Sequence, residues 1–333
     1  MTELLSASTT PELLFLETKW ASLISYGLTA RVLKDFLPLD ETLNATTIQN
    51  HTLAVAQRCD EELGEEPVVF ADGSPRDGDQ LPRPEGPLTV GLDCGYVRDW
   101  DQKQRHLEII VGKSVPPDQP AKCFGFVQSY DTKSKRRLGA VLQSHGVPDS
   151  QLLTFLSDGG ETVRPLPRQL HPQSEQLLDW VHLTMRVTVL GQYLKGLVRL
   201  DPVKGEGIQQ RLDSVKWLLW HGKVDNALAR LGELDRCMNH FTASYPRFPQ
   251  LKRAVQKFRT YIVNNRAFIP HYGQRYRRGV TISTAFVEST VNFVLSKRFV
   301  KSQSMQWTKR GAHLLLQTRV KTLNNELAST FRR

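Results

Sequence analysis

The spacing of apolar positions changes along the chain and divides it into regions. From residue 10 to 66 the period is helical. Leu13, Leu14 and Leu16 lead to Leu23, Ile24 and Leu28, then to Leu33, Phe36 and Leu37, and Pro38 ends the run. Asn44-Ala45-Thr46-Thr47 opens a second helix through Ile48, Leu53, Val55 and Ala56, with Asn44 or Thr46 as its N-cap. Two helices around a turn fit a plain helical hairpin or a DNA-reading helix-turn-helix. The second helix carries one base, Arg58, and runs into the acidic stretch 60–66, which favours the hairpin. Residues 71–87, rich in Gly, Pro and Asp, read as a linker.

Beyond it, short apolar or alternating runs at 88–96, 106–115, 121–130 and 152–157 predict strands. Residues 133–144 predict a helix between the third and fourth, and 177–183 a fifth strand. Helical spacing then dominates from 184 to about 267, with Ile208, Leu212, Val215 and Leu219 on one stripe and Leu228, Leu231, Leu234 and Met238 on another. Such stripes are packing faces. Trp217 and Trp220 are expected to lie in the same core. A last helix is predicted over 283–298.

Charge sharpens the division. Residues 1–90 hold 6 Lys/Arg against 15 Asp/Glu, and residues 91–333 hold 38 against 19, within a net charge of +10. From Phe241 onward there are 18 Lys/Arg and only two acids, Glu288 and Glu326. A surface this basic suits nucleic-acid phosphate, because binding releases counterions condensed on the polyanion. The four cysteines, Cys59, Cys94, Cys123 and Cys237, are widely spaced without a Cys-x-x-Cys pair, which argues against a zinc knuckle or a disulfide framework. No apolar run reaches the ~18 residues of a membrane span, and the N-terminus lacks a signal pattern. A cytoplasmic protein is expected.

Three carboxylates stand out by position. Asp93 lies in a strand, Val90-Gly91-Leu92-Asp93; Asp158 closes another, Phe155-Leu156-Ser157-Asp158-Gly159-Gly160; Glu288 is the lone acid of the basic C-terminal helix. Strands one and four can be neighbours in an open sheet, which would bring the two aspartates together. Three hard oxygen donors suit Mg²⁺ or Mn²⁺, and two such ions about 3.5–4 Å apart serve phosphodiester chemistry. Taken singly, a strand-end aspartate more often caps a turn, and Glu288 equally fits a solvated helix face.

In order, these segments resemble the DDE transposases of bacterial insertion sequences of the ISKra type. The resemblance covers about residues 14–327. It is carried by Gly91-Leu92-Asp93-Cys94-Gly95-Tyr96-Val97-Arg98, Leu156-Ser157-Asp158-Gly159-Gly160, Leu178-Asp179-Trp180-Val181-His182 and Ile269-Pro270-His271-Tyr272-Gly273. It continues through Ala285-Phe286-Val287-Glu288-Ser289-Thr290-Val291-Asn292 and the run Met305–Gln317. The resemblance implies an α/β fold: an RNase H-like mixed sheet flanked by helices, interrupted by an all-helical insertion and preceded by a small helical region. The implied boundaries are 1–70, 71–87, 88–183, 184–280 and 281–333. It assigns Asp93, Asp158 and Glu288 to metal binding and catalysis, with two Mg²⁺ or Mn²⁺ ions. The implied substrate is double-stranded DNA, both terminal inverted repeats and target, cut and joined by a homo-oligomer in the bacterial cytoplasm. Asp179-x-x-His182 matches a pattern of related groups and is expected near the site. Related proteins are often longer at the N-terminus, so a short or truncated member is expected. An RNase H-like nuclease without joining activity and a silent, transposase-derived DNA-binding protein are the rival readings.

The expected DNA contacts follow from charge. Arg275, Arg277 and Arg278 would hold phosphates and Tyr276 would stack on an unpaired base. Asn292, one turn after Glu288, would face the site. Lys297, Arg298, Lys301, Lys309 and Arg310 complete the basic set, and Trp307 is expected in the core.

Overall fold

The computed structural model describes residues 9–39, 43–64, 88–147, 151–239, 245–299 and 305–332. The expected linker and Lys301 lie outside them. The chain divides into two compact units: Met1–Thr154 with Pro165–Ser174 and Phe286–Arg333, and Phe155–Arg164 with Glu175–Ala285.

The first unit opens with helices α1 (Pro11–Leu23), α2 (Tyr26–Phe36) and α3 (Ala45–Glu62). Three helices form where the periodicity predicts two. Ser25 leaves the helical conformation and its hydroxyl accepts the Leu28 amide, starting α2 afresh. Asn44 caps α3 by accepting the amides of Thr46 and Thr47. Arg58 is committed to Glu62 and to the Thr330 carbonyl. These contacts describe a helical layer built into the unit rather than a helix offered to a groove.

Next come strands β1 (Leu88–Asp99), β2 (His106–Val115) and β3 (Lys122–Val127), then α4 (Ser134–Gln143) and β4 (Leu153–Ser157). After α5 (Leu166–Leu170) and β5 (Glu175–Leu178), helices α6 to α10 occupy Trp180–Leu200, Pro202–Trp220, Val224–Asn239, Phe248–Asn264 and Tyr272–Arg277. The chain ends with α11 (Ala285–Val291), β6 (Gln306–Trp307) and α12 (Lys309–Leu323). The strand order is β3-β2-β1-β4-β5, with β6 pairing β1. β1 and β2 are antiparallel, as are β2 and β3, whereas β6 runs parallel to β1. The fold is a mixed α/β sheet flanked by helices.

Two sequence expectations change here. The predicted fifth strand ends at Leu178, because Asp179 caps α6 and turns Val181-His182 into the first helical turn. The last helix is regular only to Val291 and continues as a π-helical turn over Asn292–Ser296. The N-terminal region is not a separate domain either: Ser22 donates to Thr322 of α12, and the buried Arg298 donates to the Ala21 carbonyl.

One face of the first unit's sheet presents Val97, Leu107, Ile109, Val111 and Val127. Val294, Leu295, Phe299, Trp307, Leu315 and Leu316 cover it. Trp307 is a core anchor, as its neighbours predict. In the second unit, α6 to α9 bury the expected stripes together, from Leu183, Val187 and Leu190 to Val255, Phe258 and Ile262. A Cβ on Gly205 would come within 2.5 Å of the Val198 backbone, so the first turn of α7 rests directly on α6. Among the described residues no helix is long and apolar enough to cross a membrane.

A buried ion network ties α3, α4 and α12. Arg137 donates to both oxygens of Asp131, at 3.1 and 2.9 Å, to Gln317 at 2.8 Å, and to Asp60. Burial raises the Asp60 carboxyl, but hydrogen bonds from His313 and Arg137 outweigh it and hold the group well below the usual carboxylate range. The stability it contributes is therefore present above its unfolded value of ~4 and is lost as pH falls through the folded one. Arg137→Met strands the nearly inaccessible Asp131 and is expected to cost about 3–5 kcal/mol in urea unfolding at pH 7. The deficit should shrink at pH 3, and an unchanged midpoint at pH 7 refutes it.

Candidate functional site

Asp93 sits midway along β1, opposite Val111. Side chains of a strand alternate between faces, so Gly91, Asp93 and Gly95 share one. A Cβ on Gly91 would lie 2.0 Å from a Val287 methyl, and one on Gly95 would lie 2.3 Å from a Leu295 methyl. The two glycines let the helix carrying Glu288 lie directly on the strand, with the buried Asp93 between the two points of contact. Asp93 Oδ1 accepts the Cys94 amide at 2.8 Å.

Asp158 directly follows β4. Its Oδ1 accepts the Gly160 amide at 2.9 Å, and its carbonyl accepts the Tyr261 hydroxyl at 2.7 Å. Gly159 has φ +70°, and a Cβ there would meet Asn265 Oδ1 at 2.4 Å and Leu178 at 2.5 Å. Glycine is required at this position on both counts. The Tyr261 ring carries the Arg186 guanidinium 3.9 Å above its centre, and burial pushes its phenol upward, so it stays a donor. Asn265 donates to the Tyr261 carbonyl at 2.9 Å.

Asp93 on β1 and Asp158 just after β4 are the two carboxylates that the strands of the sheet present as candidate metal ligands. Strand alternation sends the Cys94 side chain to the opposite face, where Sγ lies 3.8 Å from the Tyr96 hydroxyl. The hard donors are therefore the two aspartates, which suit a hard divalent cation, while a thiol does not.

Glu288 is exposed on α11, one residue beyond the Val287 that rests on Gly91. Asn292, also exposed, begins the π-helical turn and accepts the Ser296 hydroxyl at 3.2 Å. Single π turns inside helices often mark functional positions.

Asp179 and His182 form a dyad. Buried Asp179 accepts the Val181 amide at 2.8 Å on one oxygen. Its other oxygen meets His182 Nδ1 at 2.6 Å and the Thr284 hydroxyl. Its own amide donates to the Ser157 carbonyl at 2.8 Å, next to Asp158. Burial raises the Asp179 carboxyl, but the bonds from His182, Thr284 and Val181 prevail and lower it.

The expected DNA contacts divide. Tyr276, Arg277, Arg278, Lys297, Lys309 and Arg310 are exposed. Lys297 lies 5.0 Å over the Phe293 ring, and Arg310 reaches Gln57 at 3.4 Å. Arg275 is a correction: its guanidinium is held by both oxygens of Glu175 at 2.7 and 2.8 Å. Arg298 is another, being only 2% exposed and lying between the Tyr26 and Trp307 rings. The sequence reading missed Tyr261, Arg186 and Asn265, which no motif marks. It also misplaced Trp217, which is 54% exposed.

No protein-family model matches the chain, and no curated protein matches its sequence.

Two tests follow. Tyr261→Phe removes the bond to the Asp158 carbonyl and is expected to weaken Mn²⁺ binding several-fold in calorimetric titration, with the far-ultraviolet spectrum unchanged. Equal affinity would show that the hydroxyl does not position Asp158. Asp179→Asn keeps the helix cap but loses the charge facing His182. A lowered carboxyl stabilises above ~pH 4 and loses that contribution as pH falls. The variant is expected to be about 1–3 kcal/mol less stable at pH 7 and to approach the parent at pH 3; parallel pH curves would refute this.

Proposed function

We propose that the chain is a metal-dependent DNA transposase of the DDE type, with an RNase H-like catalytic core. The observation that carries this reading is the strand order β3-β2-β1-β4-β5, in which β1, bearing Asp93, neighbours β4, which Asp158 directly follows. That strand order, with β2 antiparallel to its neighbours, supports the RNase H-like assignment. Asp93 and Asp158 would hold the divalent cations, Mg²⁺ or Mn²⁺, and Glu288 would complete the set from the helix lying over Gly91. Bound there, the ions supply Lewis-acid activation of water and of a DNA 3′-hydroxyl, and stabilise the leaving oxygen.

The chain's own residues prepare this. Asp93 Oδ1 is held by the Cys94 amide. Gly160 and Tyr261 bond Asp158 through its carboxylate and its carbonyl. Asp179 orients His182, fixing its Nδ1 toward the carboxylate. Arg277, Arg278, Lys297, Lys309 and Arg310 would meet DNA phosphate, and Tyr276 would stack on an unpaired base. The substrates are double-stranded DNA at the element's ends and at the target, handled by a homo-oligomer in the bacterial cytoplasm.

The exposure of Glu288 on α11 favours one rival, a DNA-binding relative that no longer cuts. The deciding experiment is cleavage of labelled DNA bearing the element's end, with Mg²⁺ or Mn²⁺, by the parent protein, Asp93→Ala and Glu288→Ala. Nicking that depends on metal and falls at least about a hundredfold in both variants supports the transposase. Strand-transfer products on paired ends then separate it from a simple nuclease. Tight binding by all three proteins without cleavage would leave the silent relative.

A further inference from the structure

The second unit carries an aromatic and cationic surface that the carboxylate chemistry does not use. It is built where the end of α7 meets the start of α10. Gly222 adopts φ +65°, and a Cβ there would approach the His271 backbone to 3.1–3.2 Å, so the turn after α7 lies against Pro270-His271. A Cβ on Gly273 would lie 2.5 Å from the Trp220 indole nitrogen, so α10 lies against Trp220. Trp220 then packs at 4.9 Å on Trp180 and at 5.9 Å on Tyr276. This underlayer fixes the groups above it.

Those groups are open to solvent. Trp217 is 54% exposed and Tyr276 67%. The Trp217 ring lies 4.4 Å from that of His221, which meets His271 edge-on at 5.2 Å. Lys223 Nζ lies 5.3 Å over the Trp217 ring. Partial burial, His271, Lys223 and Arg277 all lower the His221 imidazole, which marks a positive local field. Among the described residues, Lys223, Arg277 and Arg278 have no carboxylate partner. Large rings left in water beside unpaired cations fit a ligand with flat faces and repeated negative charge.

We infer that Trp217, His221, Lys223, Tyr276, Arg277 and Arg278 form a binding site for an unpaired stretch of DNA. Bases stack on Trp217 and Tyr276 while the cations meet the flanking phosphates. A base inside a duplex has both faces covered by its neighbours and cannot use the exposed rings, so the site selects single strand. The inference rests on the transposase reading for its biological setting, and not for its test.

The test is fluorescence anisotropy of the full chain with a labelled oligo-dT of about 20 nucleotides, at fixed salt and without divalent metal. Trp217→Ala is expected to weaken binding about ten- to a hundredfold, the range for loss of one stacked base, and Trp217→Phe to recover most of it. Lys223→Gln with Arg277→Gln should flatten the salt dependence. A duplex of equal length should lose little affinity with Trp217→Ala. Unchanged oligo-dT affinity in a folded Trp217→Ala protein overturns the site, as does equal displacement by poly-glutamate, which would show a generic anion surface. Trp217-dependent binding in a protein that never nicks DNA leaves this inference standing and removes only the transposase reading. Nicking at the parent rate with no Trp217 dependence does the reverse.

Discussion

The closest constraint in the first unit is the approach of α11 to β1. It depends on two missing side chains. Gly91 and Gly95 leave room for Val287 and Leu295, and Asp93 lies between them on the same face. Any larger residue at either glycine would lift the helix from the strand, because clearances of 2.0 and 2.3 Å are far below van der Waals separation. The same contact decides which groups stand near Asp93. Val287 is turned inward, so its neighbour Glu288 falls on the flank of the helix. Burial of one residue thus determines the exposure of the next, through the 100° turn of an α-helix.

This packing also accounts for the lone acid of the basic segment. Glu288 is not drawn into an ion pair among the described residues, although cations surround it in sequence. Other residues of the same segment serve the core: Val287 and Thr290 are buried, Arg298 is buried with its Nε on the Ala21 carbonyl, and Arg319 is buried with its donors on the carbonyls of Val294, Ser22 and Phe293. Two of the cations that make the segment basic therefore serve as internal braces. Net charge alone overstates the basic surface, because a guanidinium can satisfy three or more carbonyls inside a fold as readily as a phosphate outside it.

That distinction also separates what was legible in the sequence from what was not. Strand positions and the helical stripes of α6 to α9 follow from period and order, which are local signals. The end of β5 was misread because the single polar residue between Leu177-Leu178 and Trp180-Val181, Asp179, fits a strand as readily as a helix cap. Only the capping bond from Asp179 shows that the chain changes to helix. Arg275 was assigned to phosphate because its partner, Glu175, lies a hundred residues earlier. Trp217 was placed in the core because it shares a helix with buried leucines. Yet Ile208, Leu212, Val215 and Leu219 already fill the inward stripe, and Trp217 falls outside it. The exposure of an aromatic was thus readable from the stripe itself, whereas the Arg275 and Tyr261 contacts were not readable from any local pattern.

The helices between Asp158 and Glu288 are more than a spacer. Tyr261, on the last helix of that set, bonds the Asp158 carbonyl, and its neighbour in the next turn, Asn265, fills the space that Gly159 leaves open. Phe258 and Ile262 of the same helix are buried in the helical core, against which Tyr261 also packs. The position of the Asp158 backbone is therefore referred to that core through α9, and the Arg186 contact on Tyr261 refers it to α6 as well. A substitution that shifts α9 by one rotamer's width would move the hydroxyl away from the carbonyl without touching any carboxylate. Within this unit, the packing of a helical core and the placement of a metal-binding candidate are one problem, solved by a single phenol.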